Sequence, residues 1–340
     1  MNINSQHRGK RLSFIKNVLS LLILLTLLVL MALLNIGVGS VRLSVSEVIA
    51  AFGAHADPDH QVIVLDYRLV RTLLGMMVGA ALAVAGVVAQ AILYNPLASP
   101  GTLGITAGSG VGAVMIVMLV PQAATGLLSA AAFTGGVLAA AVIYLVAYRD
   151  GVDAIRLALV GVAVSALCGA GMNLLLVSGD ANLSTALVWL AGSLWGRDWT
   201  QFYSLVPWVA VLIPVTWCLS RKIEVLQLGD ETAQGLGLRI QVLRLFLLAI
   251  VVALAGAAVS TAGTIGFVGL ICPHIARGIV GNRYSMIIPV AAVSGALLVI
   301  TADFLGRVVH PPLEIPAGIV TAVIGAPYFI YLMWRSSRKR

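Results

Sequence analysis

Side chains of the types that bind metals or transfer protons are few in this sequence, and none of them has a recognisable metal-ligand spacing. His55, Asp57, Asp59 and His60 offer ligand types within six positions, but their sequence defines no coordination geometry. His274 has no second ligand close to it in the chain, so we interpret it as a hydrogen-bonded structural residue. We therefore expect no metal site in this chain.

Sequence motifs for hydrolytic or nucleotide chemistry are missing as well. The chain has no G-x-x-x-x-G-K-[ST] loop, no H-E-x-x-H pair and no G-x-S-x-G elbow. Its three cysteines, Cys168, Cys218 and Cys272, lie in apolar stretches without metal-ligand spacing. We expect no catalytic residue and no cofactor, so the chain is predicted not to be an enzyme. Of the groups that a membrane enzyme needs, only the doubtful segment from His55 to His60 offers candidates.

The composition identifies the solvent that most of the surface meets. Of 340 residues, 60% are hydrophobic and 10% are charged, whereas soluble domains carry roughly 25% charged residues. Too few charged side chains are present to cover a water-exposed surface, so most of the surface must face lipid. We predict an all-α, polytopic membrane protein.

Ten apolar segments approach the roughly 20 residues that cross a bilayer. They run from Val18 to Ile36, Val70 to Tyr94, Gly104 to Val120, Leu127 to Tyr148, Leu157 to Ser178, Phe202 to Leu219, Leu243 to Val259, Ile265 to Val280, Met286 to Ala302 and Ile315 to Trp334. Gly75-x-x-x-Gly79 and Gly108-x-x-x-Gly112 lie within these segments and predict close helix packing.

The seventh and eighth segments form one uncharged run from Leu245 to Ile275. As one helix this run would be about 46 Å long, which exceeds the roughly 30 Å of hydrocarbon. The polar residues from Ser260 to Thr264 interrupt it. We therefore predict two helices with a short turn.

Basic residues are distributed unequally between the two sides that ten spans define. One side carries most of them, and we predict that it is cytoplasmic: Arg8, Lys10, Arg11, Lys16, Arg149, Arg156, Arg221, Lys222, Arg239, Arg244, Arg277, Arg283, Arg335, Arg338, Lys339 and Arg340. The other side carries Arg42, Arg68, Arg71, Arg197 and Arg307. The net charge of +8 thus reflects topology, and we expect no nucleic-acid partner. Both termini would be cytoplasmic.

This topology predicts a single transmembrane domain over residues 1–340. It has a cytoplasmic N-terminal tail at 1–17, a cytoplasmic loop at 220–243 and a C-terminal tail at 335–340. The middles of the spans carry no Asp, Glu, Lys or Arg. Ion-coupled carriers generally use such groups, so a secondary carrier is disfavoured as an alternative.

The loop at 220–243 contains a short helical stretch between glycines. Its residues suited to docking a partner are Gly229, Asp230, Glu231, Ala233, Leu236 and Gly237. Acidic side chains near a helix start are favoured by the helix dipole, and residues at i and i+3 present one face to a partner groove. The alternative is a solvated linker helix.

Two other groups of residues are candidates for shaping a path through the bundle. Pro96 and Pro273 are expected to end or bend helices. The neutral residues Gln90, Asn173, Met172 and Ser165 are candidate contacts along the path.

Several ordered motifs resemble those of one permease family. They are Tyr67-Arg68-Leu69-Val70-Arg71-Thr72, Asn95-Pro96-Leu97-Ala98-Ser99-Pro100-Gly101, the loop from Leu228 to Leu238, the stretch from Gly266 to Arg277, and Ile324-Gly325-Ala326-Pro327. In these motifs and over nearly its whole length, the chain resembles permease subunits of type II ABC importers, the FecCD-type permeases for iron–siderophore complexes, haem and cobalamin. The segments Trp189 to Trp199 and His310 to Glu314 are similar to ferric citrate permeases in particular.

This resemblance implies partners and a location. A second permease subunit, identical or related, would complete the pore in a bacterial inner membrane. Two cytoplasmic ATPases would dock around Glu231, and an extracytoplasmic binding protein would deliver the cargo.

The resemblance also implies that Arg68, Arg71 and Arg307 pair with acidic residues of the binding protein. Arginine–carboxylate pairs suit such docking because they are charge-assisted. The alternatives are an i, i+4 pair of Arg307 with Asp303, and interfacial snorkelling of Arg68 and Arg71.

Overall fold

The structure is a computed structural model, and it describes residues 3–39, 41, 43–53, 57–120, 122–149, 151–178, 183–311 and 313–337. Within these ranges the regular elements are helices, and extended backbone pairs only in an isolated antiparallel bridge between Tyr148 and Val152. The predicted all-α architecture is therefore confirmed.

Helices follow one another with short connections through the described part of the chain. They are α1 (Ile3–Gly37), α2 (Val45–Ala50), α3 (Pro58–Gln61), a π-helical segment (Val62–Leu69), α4 (Val70–Ile92), α5 (Ile105–Leu119), α6 (Thr125–Ala147), α7 (Ala154–Ser178), α8 (Leu183–Leu190), α9 (Trp199–Cys218), α10 (Ser220–Leu226), α11 (Asp230–Gly235), α12 (Ile240–Ala262), α13 (Val268–Val280), α14 (Tyr284–Val308) and α15 (Ala317–Ser337).

Among the described residues, seven helical stretches are long and apolar enough to cross a membrane. They are Ile15–Gly37, Pro58–Ile92, Thr125–Ala147, Ala154–Ser178, Trp199–Cys218, Ile240–Ala262 and Tyr284–Val308. Three shorter apolar helices are Ile105–Leu119, Val268–Val280 and Ala317–Leu332. Each of the ten predicted segments overlaps one of these helices. The number of ten crossings remains a prediction.

The division of the long apolar run after Leu245 is confirmed. α12 ends at Ala262 and α13 begins at Val268. Gly263 has φ +74°, and a Cβ atom there would lie 2.1 Å from the carbonyl oxygen of Trp189. This turn therefore requires glycine, both for its backbone conformation and for the close approach.

The helix that contains the second predicted segment begins earlier in the sequence than that segment. The structure has one continuous helical stretch, Pro58–Ile92, whereas the predicted segment begins at Val70. Asp66 and Arg68 mark a polar boundary in the sequence, but both are satisfied within the fold. Asp66 accepts a hydrogen bond from Trp199 Nε1 at 3.1 Å, and Arg68 donates to backbone carbonyls.

α4 lies at the centre of the bundle and packs against α12, α13 and α14. A Cβ atom on Gly79 would lie 2.1 Å from the carbonyl oxygen of Gly295, and one on Gly86 would lie 1.9 Å from that of Gly269. Real Cβ atoms do not approach so closely, so the helices meet backbone to backbone. The predicted close packing at Gly79 is confirmed.

The second small-residue motif brings α5 against α6 in the same way. A Cβ atom on Gly108 would lie 2.6 Å from the carbonyl oxygen of Gly135, and one on Gly112 would lie 2.1 Å from that of Ala131. The motif therefore marks a close helix contact, as predicted.

The two prolines differ from each other in their effect. Pro96 lies in the turn after α4, as expected, but α13 continues through Pro273. Proline has no N–H to donate to the carbonyl four residues earlier, which here belongs to Gly269. Gln90 Nε2 lies 3.5 Å from the Gly269 oxygen and 3.4 Å from that of Leu270. A neighbouring side chain thus replaces the missing donor. α13 does not end at Pro273, and a bend there stays a prediction.

Several peripheral helices expose apolar side chains. On α7, Leu159, Leu167 and Val177 are 65%, 73% and 85% exposed in the isolated chain. Such surface requires lipid or another subunit to cover it. The outer wall of the bundle is therefore suited to both environments.

Candidate functional site

Polar side chains gather at the two ends of α4, which are about 33 Å apart at 1.5 Å per residue. Arg68, Arg71 and Arg307 lie at one end, here called the arginine end. Residues 220–243, here called the coupling loop, contact the other end of α4, here called the coupling-loop end. There Gln227 Nε2 donates to the Ala91 carbonyl at 2.9 Å. The bundle thus joins two chemically different surfaces.

The coupling loop is built from two short helices separated by a sharp bend. α10 ends at Leu226, and α11 runs from Asp230 to Gly235. Gly229 and Gly237 have φ of +96° and +84° on either side of α11. Both glycines of the predicted docking set therefore provide the positive φ that isolates α11 as a separate unit.

Exposure separates the members of the predicted docking set. Glu231 is exposed, and Leu236 is 65% exposed. Ala233 is completely buried against the bundle, so its predicted position facing a partner is wrong. The second exposed apolar side chain beside α11 is Leu228, at 59%. The exposed surface that can meet a partner thus includes Glu231, Leu228 and Leu236.

Asp230 is fastened to the bundle by a cluster we call the clamp, formed by Asp230, Arg244, Tyr94 and the carbonyl of Val152. Arg244 Nη2 donates to both carboxylate oxygens of Asp230, at 3.0 and 3.1 Å, and Nη1 donates to the Val152 carbonyl. Tyr94 Oη donates to Asp230 Oδ1 at 2.6 Å. The clamp therefore connects α11 to α12, to the end of α4 and to the segment before α7.

Tyr94, a member of the clamp, has an unusual backbone conformation and a raised side-chain pKa. Its backbone has φ +49°, and the Leu226 carbonyl oxygen lies 2.9 Å from the hydroxyl oxygen, so this carbonyl and Asp230 share the single O–H. Burial raises the pKa of Tyr94 to about 12, and its hydrogen bond to the Asp230 carboxylate acts in the same direction. The phenol thus stays a hydrogen-bond donor at any ordinary pH.

A cavity of about 350 Å³ lies beside the clamp at the coupling-loop end. Arg277 Nη1 donates to Gln90 Oε1 at its edge, and Glu224 Oε1 accepts from the Tyr284 backbone N–H at 2.8 Å. Gln90 therefore uses its amide group at both atoms, on Arg277 and on the backbone of α13. The Gln90 pairing connects α4 to α13, and the Glu224 hydrogen bond connects α10 to α14.

At the arginine end, Arg68 is turned into the protein. It is 5% exposed, and its Nη1 donates to the carbonyls of Ile36 and Gly37 at 2.9 and 3.0 Å. Nη2 donates to the Val41 carbonyl. Its guanidinium group therefore closes the carboxyl end of α1, which is a different geometry from snorkelling.

Arg71 and Arg307 share the carboxylate of Asp303. Arg71 donates to Asp303 from Nε and Nη2, at 2.9 to 3.0 Å, and to Glu314 from Nη1 at 2.8 Å. Arg307 Nε lies 3.3 Å from Asp303 Oδ2, and Arg307 donates to Asn35 as well. The i, i+4 pair considered for Arg307 is therefore present. All three arginines have partners within the chain.

Comparison with known proteins agrees with this architecture. The model of the FecCD transport family matches residues 26–335. The chain belongs to the FecCD transport family. It is 41% identical over 323 residues to the Fe(3+)-citrate import system permease protein YfmE of Bacillus subtilis, covering 95% of this chain and 97% of that protein. It is 40% identical over 280 residues to the Fe(3+) dicitrate transport system permease protein FecD of Escherichia coli, covering 82% and 87%.

A solved structure similar to this FecCD-family chain has a TM-score of 0.84 and 30% identity. It is described as a metal-chelate type ABC transporter in an inward-facing conformation, and the match covers 93% of this chain and 98% of that one. The fold is therefore that of a type II ABC importer permease, and this member of the family is a multi-pass membrane transport protein.

The four candidate path residues of this FecCD-family chain are not brought together. Gln90 is 2% exposed on α4. Ser165 donates to the Gly161 carbonyl at 2.8 Å, and Met172 packs against Gly110 where α7 meets α5. Asn173 alone among the four is exposed. Only the exposed face of α7 thus offers a predicted contact to a path outside the single chain.

Arg244 and Asp303, whose ion pairs connect helices at the two ends of α4, were not predicted from the sequence as site residues. Arg244 is recognisable as a charge within an apolar stretch, four residues after the start of α12, and Asp303 as a carboxylate near the end of α14. An ionisable group beside a span is a functional signal. Its partner cannot be read locally, because Arg71 and Asp303 are 232 positions apart.

Some predictions concern residues that the structure does not describe. His55, Arg42, Arg338, Lys339 and Arg340 lie outside the described residues. Within the described residues, no group of three or more His, Cys, Asp or Glu side chains is placed to hold a metal ion.

Proposed function

We propose that this FecCD-family chain is the permease subunit of an ATP-driven importer for a ferric siderophore-type complex, with ferric citrate as the first candidate. The observation that carries the proposal is the 41% identity, along nearly the full length of both chains, to a protein named as an Fe(3+)-citrate import permease. The 40% identity to the ferric dicitrate permease FecD supports the same cargo.

The coupling loop is the proposed docking surface for a cytoplasmic ATPase subunit. Leu228, Leu236 and Glu231 project from the bundle around α11. Two apolar anchors beside an exposed charge suit insertion into a partner groove. The excess of Lys and Arg predicted on this side favours its cytoplasmic location in the bacterial inner membrane, with both termini on the same side.

The clamp is the proposed route by which ATPase movement reaches the path. Asp230 on α11 is bound to Arg244 on α12, and Arg244 also binds the Val152 carbonyl just before α7. A displacement of α11 therefore pulls on α12 and on the base of α7 together. Coupling of this kind requires contacts that persist while the elements move.

A second permease subunit is the proposed cover for the exposed face of α7. Gly169 and Gly171 have open space where a Cβ atom would be, and Asn173 and Leu167 are exposed on the same helix. Small residues permit close helix approach in lipid. We place the path for the cargo along this face, with Asn173 as its polar contact.

The arginine end is the proposed docking site for the extracytoplasmic binding protein. Arg68, Arg71 and Arg307 already donate to groups in the chain. We therefore infer that they attract an acidic partner through the positive electrostatic potential that they create. The exposed rings of Tyr67 and Trp195 are the surface that the partner would contact.

The test is uptake of labelled ferric citrate into proteoliposomes that contain the chain, its companion permease, ATPase and binding protein. An ionophore removes ion gradients. Uptake that requires ATP and resists the ionophore is the expected result. Uptake that needs an ion gradient and no ATP would identify a secondary carrier instead. Uptake of haem or cobalamin in place of ferric citrate would keep the importer and change its cargo.

A further inference from the structure

A cavity of about 300 Å³ opens at the arginine end. Four guanidinium groups line it, from Arg68, Arg71, Arg197 and Arg307, together with one lining carboxylate, Glu314. The cavity is formed by elements that are far apart in the sequence, so no local sequence motif predicts it.

Arg197 differs from the other three arginines because it has no hydrogen-bond or ion-pair partner among the described residues. Its Nε atom is buried and makes no hydrogen bond, and none of its N–H groups donates to any described residue. The neighbouring acidic side chain, Asp198, accepts from the Thr200 backbone N–H at 2.7 Å and caps α9. The Nη groups of Arg197, a part-buried residue that lines the cavity, therefore have no acceptor among the described residues.

The charges around the cavity do not balance. Asp303 and Glu314 neutralise Arg71 and part of Arg307, while Arg68 binds only neutral carbonyls. Nearby Asp66 is turned to Trp199. Burial lowers the pKa of Arg197, and Asp198 offsets this only in part. Charges removed from water are normally paired in proteins, and Arg197 is part-buried, so this cluster is suited to binding an anion.

Size and surroundings favour a small organic anion. The cavity volume is at the lower end of the range for small-molecule sites, roughly 300–1,000 Å³. The exposed rings of Tyr67 and Trp195 lie on its wall and offer apolar faces to a carbon skeleton. Guanidinium groups bind carboxylates in a bidentate manner.

We propose that this cavity binds a di- or tricarboxylate anion. Arg197 donates hydrogen bonds to one of its carboxylates, and the other arginines contribute a positive electrostatic potential. In biological terms the inference rests on the proposed import function, because the carboxylates of a ferric citrate complex would meet this site on entry. Binding of the anion itself is independent of transport.

The experiment measures citrate binding to the complete permease–ATPase complex in nanodiscs, without binding protein, by calorimetry and by the shift in melting temperature. Acetate and inorganic phosphate are the comparison anions. The variant is Arg197→Gln, with Arg197→Lys as the conservative change. Arg156→Gln removes an exposed arginine at the opposite end of the bundle and is the matched control.

We expect citrate to bind and to raise the melting temperature, with acetate and phosphate much weaker. Arg197→Gln should weaken citrate binding about tenfold or more, since a charge-assisted bond is lost. Arg197→Lys should retain part of the affinity, and Arg156→Gln all of it. Without citrate, Arg197→Gln should melt at the same temperature or higher, because a part-buried charge without a partner among the described residues is removed.

Three results would overturn the site. They are the absence of citrate binding, equal binding by Arg197→Gln, and a loss of binding-protein association in Arg197→Gln with no response to citrate, which would assign the carboxylate to the partner protein. Ferric citrate uptake with no citrate binding refutes the site but keeps the proposed function. Citrate binding without uptake refutes the function but keeps the site.

Discussion

Replacing Arg244 by methionine tests whether the clamp carries movement from the coupling loop into the bundle. Arg244 is 2% exposed and joins α12 to Asp230 and to the Val152 carbonyl. Methionine keeps an apolar side chain along the same path but removes the donors. We expect ATP hydrolysis to continue while ferric citrate uptake falls.

The size of the effect follows from the burial of the two contacts. The Asp230 side chain is 48% exposed, so its ion pair with Arg244 contributes no more than about 1 kcal/mol. The buried bond from the guanidinium to the Val152 carbonyl contributes roughly 1.5 kcal/mol or more. Only the Asp230 pair holds α11, so its loss shifts the balance between fastened and released α11 by up to about fivefold. Loss of the Val152 bond separately frees α12 from the segment before α7.

The assay compares uptake with ATP hydrolysis in the same proteoliposomes. Arg239→Met, at an exposed position just before α12 that takes no part in the clamp, is the control. The ratio of ferric citrate imported to ATP hydrolysed should fall at least several-fold in Arg244→Met and stay constant in Arg239→Met. An unchanged ratio in a folded, assembled Arg244→Met complex would refute the clamp as a coupling element.

Three further predictions concern the coupling loop and the core. Glu231→Arg should reduce ATPase association at least tenfold in a pull-down, because it reverses the exposed charge of the docking surface. Tyr94→Phe should lower the melting temperature below pH 10, and its difference from the wild type should shrink as the pH rises from 10 towards 12, where the phenol ionises and its stabilisation is lost. Gly86→Ala should cost about 1–3 kcal/mol or prevent folding, seen as lost monodisperse protein in detergent, because its Cβ would lie 1.9 Å from the Gly269 oxygen.

Each of these three changes has a matched control. Thr232→Arg places the same side chain at the next exposed position and should affect ATPase binding less; equal losses would contradict the role of Glu231. A difference between Tyr94→Phe and wild type that does not vary with pH would contradict the Tyr94 assignment. Gly278→Ala, at an open position on α13, should be tolerated, and equal damage by both glycine changes would contradict the close packing.

The sequence alone determined the class of the protein, its family and the approximate positions of its long apolar helices. In lipid every backbone group must be satisfied within the chain, so a long apolar stretch has to be helical wherever its partners lie. The break between α12 and α13 was equally readable, since Gly263 and the polar residues before it interrupt a run too long for one span. These are local properties, which the order of residues contains.

The tertiary structure decided which side chains are free to act. Ala233 is buried, Gln90 replaces the donor that Pro273 lacks, and Arg71 binds a carboxylate 232 positions away. None of these pairings has a local signal, because hydropathy periodicity says which face of a helix is apolar but not which helix it meets. For the same reason, Arg197, the cavity arginine without a hydrogen-bond partner among the described residues, could be recognised only once the tertiary structure had brought four distant segments together.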